Sequence, residues 1–141
     1  MKTKPKLKDP AEKVGYWVNH DDVMFLVGQA EPGDEKNVPL GVYMDVCRAG
    51  TLAFRSKAPS LKIERYATRP NDLRLWFEYS PDEVKREFGF DDAQVAEAMQ
   101  ELMVVGIIWS SKPDQRNRYR VLIPNFRPAE IGEAAERRVA P

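Results

Sequence analysis

The sequence predicts an α+β domain in which several helices and a small antiparallel sheet share one core. Hydrophobic residues make up 43% and charged residues 31% of the 141 positions, which is typical of one folded globular domain. Apolar residues recur at helical spacing in some segments, as at Val95, Met99 and Leu102, whereas Leu73–Tyr79 alternates and is rich in aromatic residues, as in a strand. Because both patterns occur within one domain-sized chain, we expect mixed secondary structure.

The two ends of the chain are expected to lie outside the folded domain. Residues 1–13 contain five lysines against two acids, and we expect a disordered basic arm there, either a solvated tail or an arm that binds nucleic acid. Residues 14–127 are then expected to form a single folded domain. Residues 128–141 are predicted to form a short helix or a flexible tail.

The N-terminal part of the domain is predicted to begin with an extra strand pair. Tyr16–Val18 and Val23–Val27 have the composition of short strands, with a turn at Asn19–Asp22. Pro39 stands where a helix can begin, and Gly50 stands where it can stop. Between those two residues the apolar side chains recur at helical spacing, at Leu40, Tyr43, Met44 and Cys47.

Residues 51–71 are predicted to form a basic loop. Pro59 and Pro70 bracket a short helix at Ser60–Ala67, but about twenty residues are too many for an idle connection in a compact domain. A functional role and a lid over the core both stay open. The basic side chains of this loop that we select as partner-binding candidates are Arg55, Lys57, Lys62, Arg65 and Arg69.

The C-terminal half of the domain carries the clearest signals. Ser80–Glu83 has the pattern of a capping box with proline at the first helical position, and the helix that it starts should end at Gly89. Asp91 or Asp92 should cap the next helix, which ends at Gly106. The apolar face of that helix is formed by Val95, Met99 and Leu102, flanked by Ala98 and Val105.

Two further strands are predicted after this helix. They are Ile107–Ser110 and Arg118–Ile123, joined by residues 111–117, which are rich in turn-forming side chains. Pro124 is expected to close the sheet. A final short helix is predicted at Pro128–Val139.

The order of these elements is that of a winged helix-turn-helix domain, and two segments resemble that family closely. In PDEVKREFGFDDAQVAEAMQELMVVGII a first helix ends in a hydrophobic residue and Gly89, and after a polar cap a second helix ends in Leu-x-x-x-Gly and two apolar residues. NRYRVLIP resembles the returning wing strand of many phage and plasmid regulators. The resemblance covers residues 80–124, about a third of the chain, or residues 39–124 if the helix beginning at Pro39 is the first of the fold. The alternative is a helical hairpin packed on an unrelated sheet.

The resemblance implies that the second helix of the motif would lie in the major groove of DNA, but the charges of this helix disfavour that role. Between Glu87 and Ser111 the sequence has five acids and no cation, so its glutamates would face phosphates. The outward positions are Ala93, Gln94, Ala96, Glu97, Gln100 and Glu101. We therefore expect this helix to contact a protein, and we select Gln94, Glu97 and Glu101 as partner-binding candidates.

The remaining cations lie on or beside the predicted wing. Arg118 and Arg120 should point outward, because Tyr119 and Val121 alternate with them and should point inward. Together with the basic loop, the wing can hold a nucleic-acid backbone or an acidic protein, and each cation can also be ordinary solvated surface. The nucleic-acid-binding candidates of this alternative are Lys112, Arg116, Arg118 and Arg120.

The residue signatures of enzymes are missing, so we expect no catalysis, no cofactor and no metal. The glycines are isolated, which excludes the usual phosphate loops, and one His and one Cys cannot supply a usual zinc ligand set. His20 beside two aspartates indicates a turn, and Cys47 on an apolar helix side indicates an inert thiol. A single cysteine is typical of the reducing cytoplasm, and the longest apolar run, Leu102–Trp109, is too short to cross a membrane.

Two functions compete. The first is a regulator of transcription that binds a protein. The chain resembles the small RNA-polymerase-binding regulators of phages, including Thermus phages, in size, thermophile-like composition and the ends of the chain. That resemblance implies inhibition of promoters or help past terminators in the host cytoplasm, with Trp76, Phe77 and Trp109 as further contacts. The alternative is a DNA-binding winged-helix regulator or a plasmid or phage replication initiator that docks through wing, loop and arm.

Overall fold

The computed structural model describes residues 15–31, 33 and 36–131. Four strands form one antiparallel sheet in the order β1-β2-β4-β3, and the helices pack against it. The α+β fold class is therefore confirmed. In chain order the elements are α1 (His20–Gln29), α2 (Val38–Ser56), β1 (Lys62–Arg65), β2 (Leu73–Tyr79), α3 (Asp82–Phe88), α4 (Asp92–Val104), β3 (Trp109–Ser110) and β4 (Tyr119–Phe126).

The two faces of the sheet have different environments because the side chains of a strand alternate. On β2 the residues Leu73, Leu75, Phe77 and Tyr79 are buried against the helices. The residues between them point away from the helices. Pairing of Trp76 with Leu122 on β4, and of Leu122 with Trp109 on β3, brings the outward side chains of three strands together.

The helix layer approaches the sheet most closely at Gly50 of α2. A Cβ atom added there would lie 3.0 Å from side-chain atoms of both Phe77 and Ile123. Gly50 was predicted to end the helix, but α2 continues to Ser56. The glycine is needed for the close approach of helix and sheet, and the cost of glycine inside a helix, about 1 kcal/mol, is outweighed by the packing around it.

A buried polar network ties α2 to β2. The Tyr79 hydroxyl donates to Asp45 Oδ2 at 2.6 Å, and Arg48 contacts Asp45 Oδ1 at 2.7 Å. Burial raises the pKa of Tyr79 well above its usual value, and the neighbouring Asp45 carboxylate raises it further. The tyrosine hydroxyl is therefore the donor of this bond, and the carboxylate has partners on both oxygens.

The predicted N-terminal strand pair is wrong, because Val23–Val27 lies inside helix α1. Asn19 caps this helix by accepting a hydrogen bond from the Asp22 amide at 2.9 Å, and acidic residues occupy the first turn. Leu26 is the buried residue of α1, so this short surface helix leaves most of its apolar side chains exposed. The apolar residues Val23–Val27 are consecutive and do not mark one helix face, which is why this segment was predicted as a strand.

The predicted helix at Ser60–Ala67 is also wrong, because strand β1 lies there. β1 pairs with β2 in antiparallel register, with Lys62 opposite Trp76 and Glu64 opposite Arg74. Arg74 Nε lies 3.1 Å from Glu64 Oε1 across the strands. The loop between α2 and β2 is thus shorter than predicted, and part of it extends the sheet.

The two helices of the C-terminal half form as predicted, and Asp91, one of the two predicted cap residues, caps α4, but the start of α3 differs from the prediction. The predicted capping box at Ser80–Glu83 is wrong, because Pro81 is the N-cap and makes no side-chain cap bond. Instead the box is at α4, where Asp91 Oδ1 accepts from the Gln94 amide at 2.7 Å and Gln94 Oε1 accepts from the Asp91 amide at 3.0 Å. Gly89 ends α3 with φ 74°, as glycine can do at little cost.

The sheet extends beyond its predicted end. β4 continues through Pro124 to Phe126, with a register irregularity between Leu73 and Leu75 of β2, so the prediction that Pro124 closes the sheet is wrong. Residues 128–131 are helical. The rest of the predicted helix at Pro128–Val139 and the predicted basic arm at residues 1–13 lie outside the described residues. Over the described part of the chain, the helices are too short or too polar for a membrane crossing.

Candidate functional site

A groove opens where three helices meet: the end of α1, the start of α2 and the end of α4. Its volume is about 450 Å³. We call it the helical groove, and its described lining comprises Phe25, Leu26, Gln29, Ala30, Glu31, Asn37, Pro39, Gln100, Glu101, Val104 and Val105. Three apolar side chains in it are strongly exposed, with Phe25 at 42%, Val104 at 72% and Val105 at 48%.

The geometry at the end of α4 explains why these valines are exposed. The helix ends at Val104, and Gly106 takes φ 84°, so the chain turns sharply and buries Ile107 and Ile108 in the core. Val104 and Val105 are left on the outer side of that turn. Exposed apolar side chains gathered in a groove mark a binding site more often than isolated ones do.

The charge of the helical groove is negative. Glu31 and Glu101 are exposed in its lining, and none of its described lining residues is a cation. Glu97 is exposed on α4 one turn before Glu101. Of the three α4 candidates, Glu97 and Glu101 are available to a partner, whereas the side chain of Gln94 is occupied in the capping box.

The N-terminal end of α4 is linked to neighbouring elements. Lys85 of α3 forms an ion pair with Asp92, and the Asn117 amide donates to the same carboxylate at 2.9 Å. The hydrogen bond to Asp92 raises the pKa of Lys85. This end of α4 is therefore held by contacts within the chain, and its other end faces the helical groove.

The five basic-loop candidates do not form one site. Arg55 and Lys57 lie exposed at the end of α2, and Lys62 and Arg65 point to opposite faces of β1 because they are three residues apart. Arg69 lies 4.0 Å over the ring of Tyr66 and 3.7 Å from a buried carboxylate, that of Asp72. The prediction of a single basic loop is thus replaced by three separate positions.

The predicted wing, residues 111–118, is a short, internally bonded loop between β3 and β4. Asp114 Oδ1 accepts from the amides of Arg116 and Arg118, at 2.8 and 2.9 Å, and these bonds hold the pKa of Asp114 below its usual value. Lys112 and Arg116 are exposed, and over the described residues neither side chain has an ion pair. Arg118 lies 3.4 Å from Glu78.

The outward side of the sheet carries aromatic and cationic side chains, and we call it the sheet face. The rings of Trp76 and Trp109 meet edge to face, with centroids 5.5 Å apart, and Trp109 is 44% exposed. The guanidinium of Arg120 lies 5.8 Å from the Trp76 ring and donates to the Ser60 carbonyl at 2.8 Å. The sheet face comprises Lys62, Glu64, Arg74, Trp76, Glu78, Trp109, Arg118, Arg120 and Leu122.

Acids on the sheet face are already paired. The indole Nε1 of Trp76 donates to Glu64 Oε1 at 3.0 Å, and this bond, with Lys62 and Arg74 nearby, lowers the pKa of Glu64. The prediction that Phe77 is a contact residue beside the tryptophans is wrong, because this side chain is fully buried in the core. Trp76 and Trp109 are at the surface.

Phe25 and Val104 line the helical groove but were not predicted as site residues. Phe25 was assigned to a strand, and Val104 was not placed on the apolar face of its helix. Asn19 followed three residues later by Asp22, in front of an apolar run, was the signal that could have indicated helix α1 and therefore the groove.

Neither His20 nor Cys47 belongs to the helical groove or to the sheet face. His20 is exposed at the start of α1, and Cys47 is buried, which raises the pKa of its thiol. Within the described ranges, His, Cys, Asp and Glu do not gather in groups of three able to hold a metal ion.

Comparisons of the chain with protein-family models, with curated proteins and with solved structures found no match. The candidate surfaces therefore rest on the chain's own geometry and charge.

Proposed function

We propose that the chain is a non-catalytic transcription regulator that binds a protein partner through the helical groove, and that this partner is RNA polymerase. Such binding would either inhibit transcription from promoters or help the polymerase to read through terminators. The proposal is carried by the exposure of Val104, at 72%, within an acidic groove of about 450 Å³.

The order and pairing of the elements support a winged-helix scaffold for residues 38–126. α2 is followed by β2, by the α3–α4 pair and by the β3–β4 hairpin, and β4 lies between β2 and β3 in the sheet. β1 is then an addition at the sheet edge. On this scaffold α4 corresponds to the recognition helix and residues 111–118 to the wing.

The charge of α4 supports a protein partner over the DNA major groove. Glu97 and Glu101 are exposed on it, and Glu101 lines the helical groove. Carboxylates next to phosphates repel, whereas protein–DNA affinity depends largely on cations that replace counterions. An apolar side chain flanked by lysine or arginine on a partner surface would match both the apolar floor and the acidic rim.

RNA polymerase is the partner to test first because the chain resembles phage regulators that bind it. We would immobilise the full chain and measure its affinity for purified, nuclease-treated bacterial RNA polymerase. Val104→Asp should weaken binding at least tenfold, because it places a charge on the apolar floor. Its effect on stability should stay within about 0.5 kcal/mol, as expected for an exposed position.

Phe88→Asp is the matched control. Phe88 is 53% exposed on α3 and lies outside the groove lining, so this variant should bind as the wild type does. Glu101→Lys is a second groove variant and should also weaken binding, because it reverses the charge of the rim. Absence of polymerase binding, or equal losses in Val104→Asp and Phe88→Asp, would contradict the proposal.

A second candidate function is DNA binding led by the wing. It is favoured by Lys112 and Arg116, which are exposed on a loop whose backbone Asp114 holds in place. Duplex binding that falls steeply with salt and is lost in Arg116→Ala, but not in Gln94→Ala, would support this candidate over the first.

A further inference from the structure

We propose that the sheet face binds single-stranded nucleic acid by stacking bases on Trp109 and Trp76 while the surrounding cations contact the phosphates. This site is separate from the helical groove and does not depend on the proposed protein partner.

The first support is the aromatic surface. Trp109 is 44% exposed on the edge strand β3, and its ring meets that of Trp76 at 5.5 Å and 62°. Leu122 pairs in register with both tryptophans and is 8% exposed, so three apolar side chains lie side by side on this face. Bases stack on such surfaces with little regard to sequence, because every base has a π-face.

The second support is charge complementarity. The sheet face carries four cations, Lys62, Arg74, Arg118 and Arg120, against two carboxylates, Glu64 and Glu78. Both carboxylates lie against cations of the same face, Glu64 at 3.1 Å from Arg74 and Glu78 at 3.4 Å from Arg118. The surplus is positive, as a strand of phosphates requires.

The third support is the way in which Arg120 is held. Its guanidinium donates to the Ser60 carbonyl at 2.8 Å and lies 5.8 Å from the Trp76 ring. A cation fixed beside a stacking ring can contact the phosphate of a base that stacks there. A duplex cannot offer its bases in this way, so the occupant is a single strand.

Tryptophan fluorescence can follow the binding directly. The chain has three tryptophans, and Trp17 is buried at 3%, so quenching by a stacked base reports on Trp76 and Trp109. We would titrate the full chain with a 12-nucleotide oligothymidylate, with the matched oligouridylate and with a duplex of equal length, at two salt concentrations. We expect saturable quenching by the single strands, weakened by salt, and weaker binding of the duplex.

Five variants, two of them controls on α3, test the residues. Trp109→Ala should weaken oligothymidylate binding about tenfold, the typical effect of removing one stacking ring, and Trp109→Phe should restore most of it. Phe88→Ala removes a similarly exposed ring from α3, 53% against 44% for Trp109, and should leave oligothymidylate binding unchanged. Arg120→Gln should weaken binding and reduce its salt dependence, and its charge-matched control Arg86→Gln on α3 should not. Comparison of the affinities for oligouridylate and oligothymidylate then shows whether RNA or DNA is the preferred strand.

The proposal would be overturned by the absence of saturable quenching with either single strand. Tighter binding of the duplex would also overturn it and would favour the wing. Loss of polymerase binding in Trp109→Ala without any oligonucleotide binding would make the sheet face a protein contact. Val104→Asp should leave oligonucleotide binding unchanged, so failure of the groove and failure of the sheet face are separable.

Discussion

The helical groove and the sheet face lie on two sides of one core, and they expose apolar side chains for different reasons. In the groove, α4 ends and the chain turns at Gly106, so Val104 and Val105 are left exposed on the outer side of the turn. On the sheet face, alternation along the strands fixes the direction of Trp76, and its neighbours are set by register. The groove is acidic and the sheet face has a surplus of cations, so the two surfaces suit different partners.

This difference shows why net charge gives little information here. The chain has 22 cations and 22 acids, yet α4 carries three acids and no cation, whereas the sheet face carries four cations and two acids. A partner meets the local field of one surface. A change in the core that both surfaces share should therefore affect both of them, whereas a change on one surface should leave the other unaffected.

The largest effect is expected from Asp45→Ala, because it removes the centre of the network between α2 and β2. The Tyr79 hydroxyl would lose its acceptor, and Arg48 would lose its partner. Breaking a buried, hydrogen-bonded pair of this kind costs about 3 kcal/mol. We expect a fall of that size in the free energy of unfolding, measured by urea denaturation, and weaker binding at both surfaces at temperatures near the lowered midpoint.

Tyr79→Phe provides the control for this variant. It removes the donor but leaves the Asp45–Arg48 ion pair, so the loss should be about 1 kcal/mol. If Asp45→Ala destabilised the protein no more than Tyr79→Phe does, the network would not be what ties the helix layer to the sheet.

A smaller effect is expected from Asp91→Ala, which changes only the N-terminal end of α4. The variant removes the acceptor of the Gln94 amide and so one half of the capping box. N-cap substitutions to alanine cost about 1 kcal/mol. Thermal unfolding should shift accordingly, whereas the affinity of the folded protein for a groove partner should not change, since the groove lies at the other end of α4. Asp91→Ser, which can still cap, should keep most of the stability.

Much of the C-terminal half was predictable from sequence, because its signals are local. Gly89 and Asp91 mark helix ends through backbone conformation and a hydrogen bond three residues away, and alternation in Leu73–Tyr79 marks a strand. The N-terminal half depends on tertiary context. Leu26 is the buried residue of α1, so no amphipathic pattern marks that helix, and β1 is a strand because β2 lies beside it.

The candidate sites were less predictable than the fold. Glu97 and Glu101 could be selected from charge alone, and both are exposed. The groove next to them needs three helix ends to meet, which no local pattern shows. In the same way, the basic residues at positions 55–69 form one cluster in the sequence. In the structure Lys62 and Arg65 lie on strand β1 and point to opposite faces of it.

The smallest effect is expected from Glu64→Gln, which changes the charge of the sheet face and leaves the groove alone. Glu64 is one of two acids on that face, and its pKa is lowered, first by the Trp76 hydrogen bond and then by Lys62 and Arg74. Removing its charge should strengthen oligothymidylate binding a few-fold at low salt, because repulsion of phosphates is reduced.

The pH dependence of Glu64 tests the same idea in the wild-type protein. A folded-state pKa below the unfolded value means that the charged Glu64, through its hydrogen bond from Trp76 and then its ion pairs, stabilises the protein above its usual pKa of 4.5, and that this contribution is lost as the pH falls through the lowered value. Over that lower range the wild type should gain oligonucleotide affinity as Glu64 takes up a proton, and Glu64→Gln should lack that part of the gain. Glu97→Gln on α4 is the matched control and should follow the wild type. Equal curves for Glu64→Gln and the wild type would mean that bound nucleic acid does not reach Glu64, and therefore that it does not cross β1.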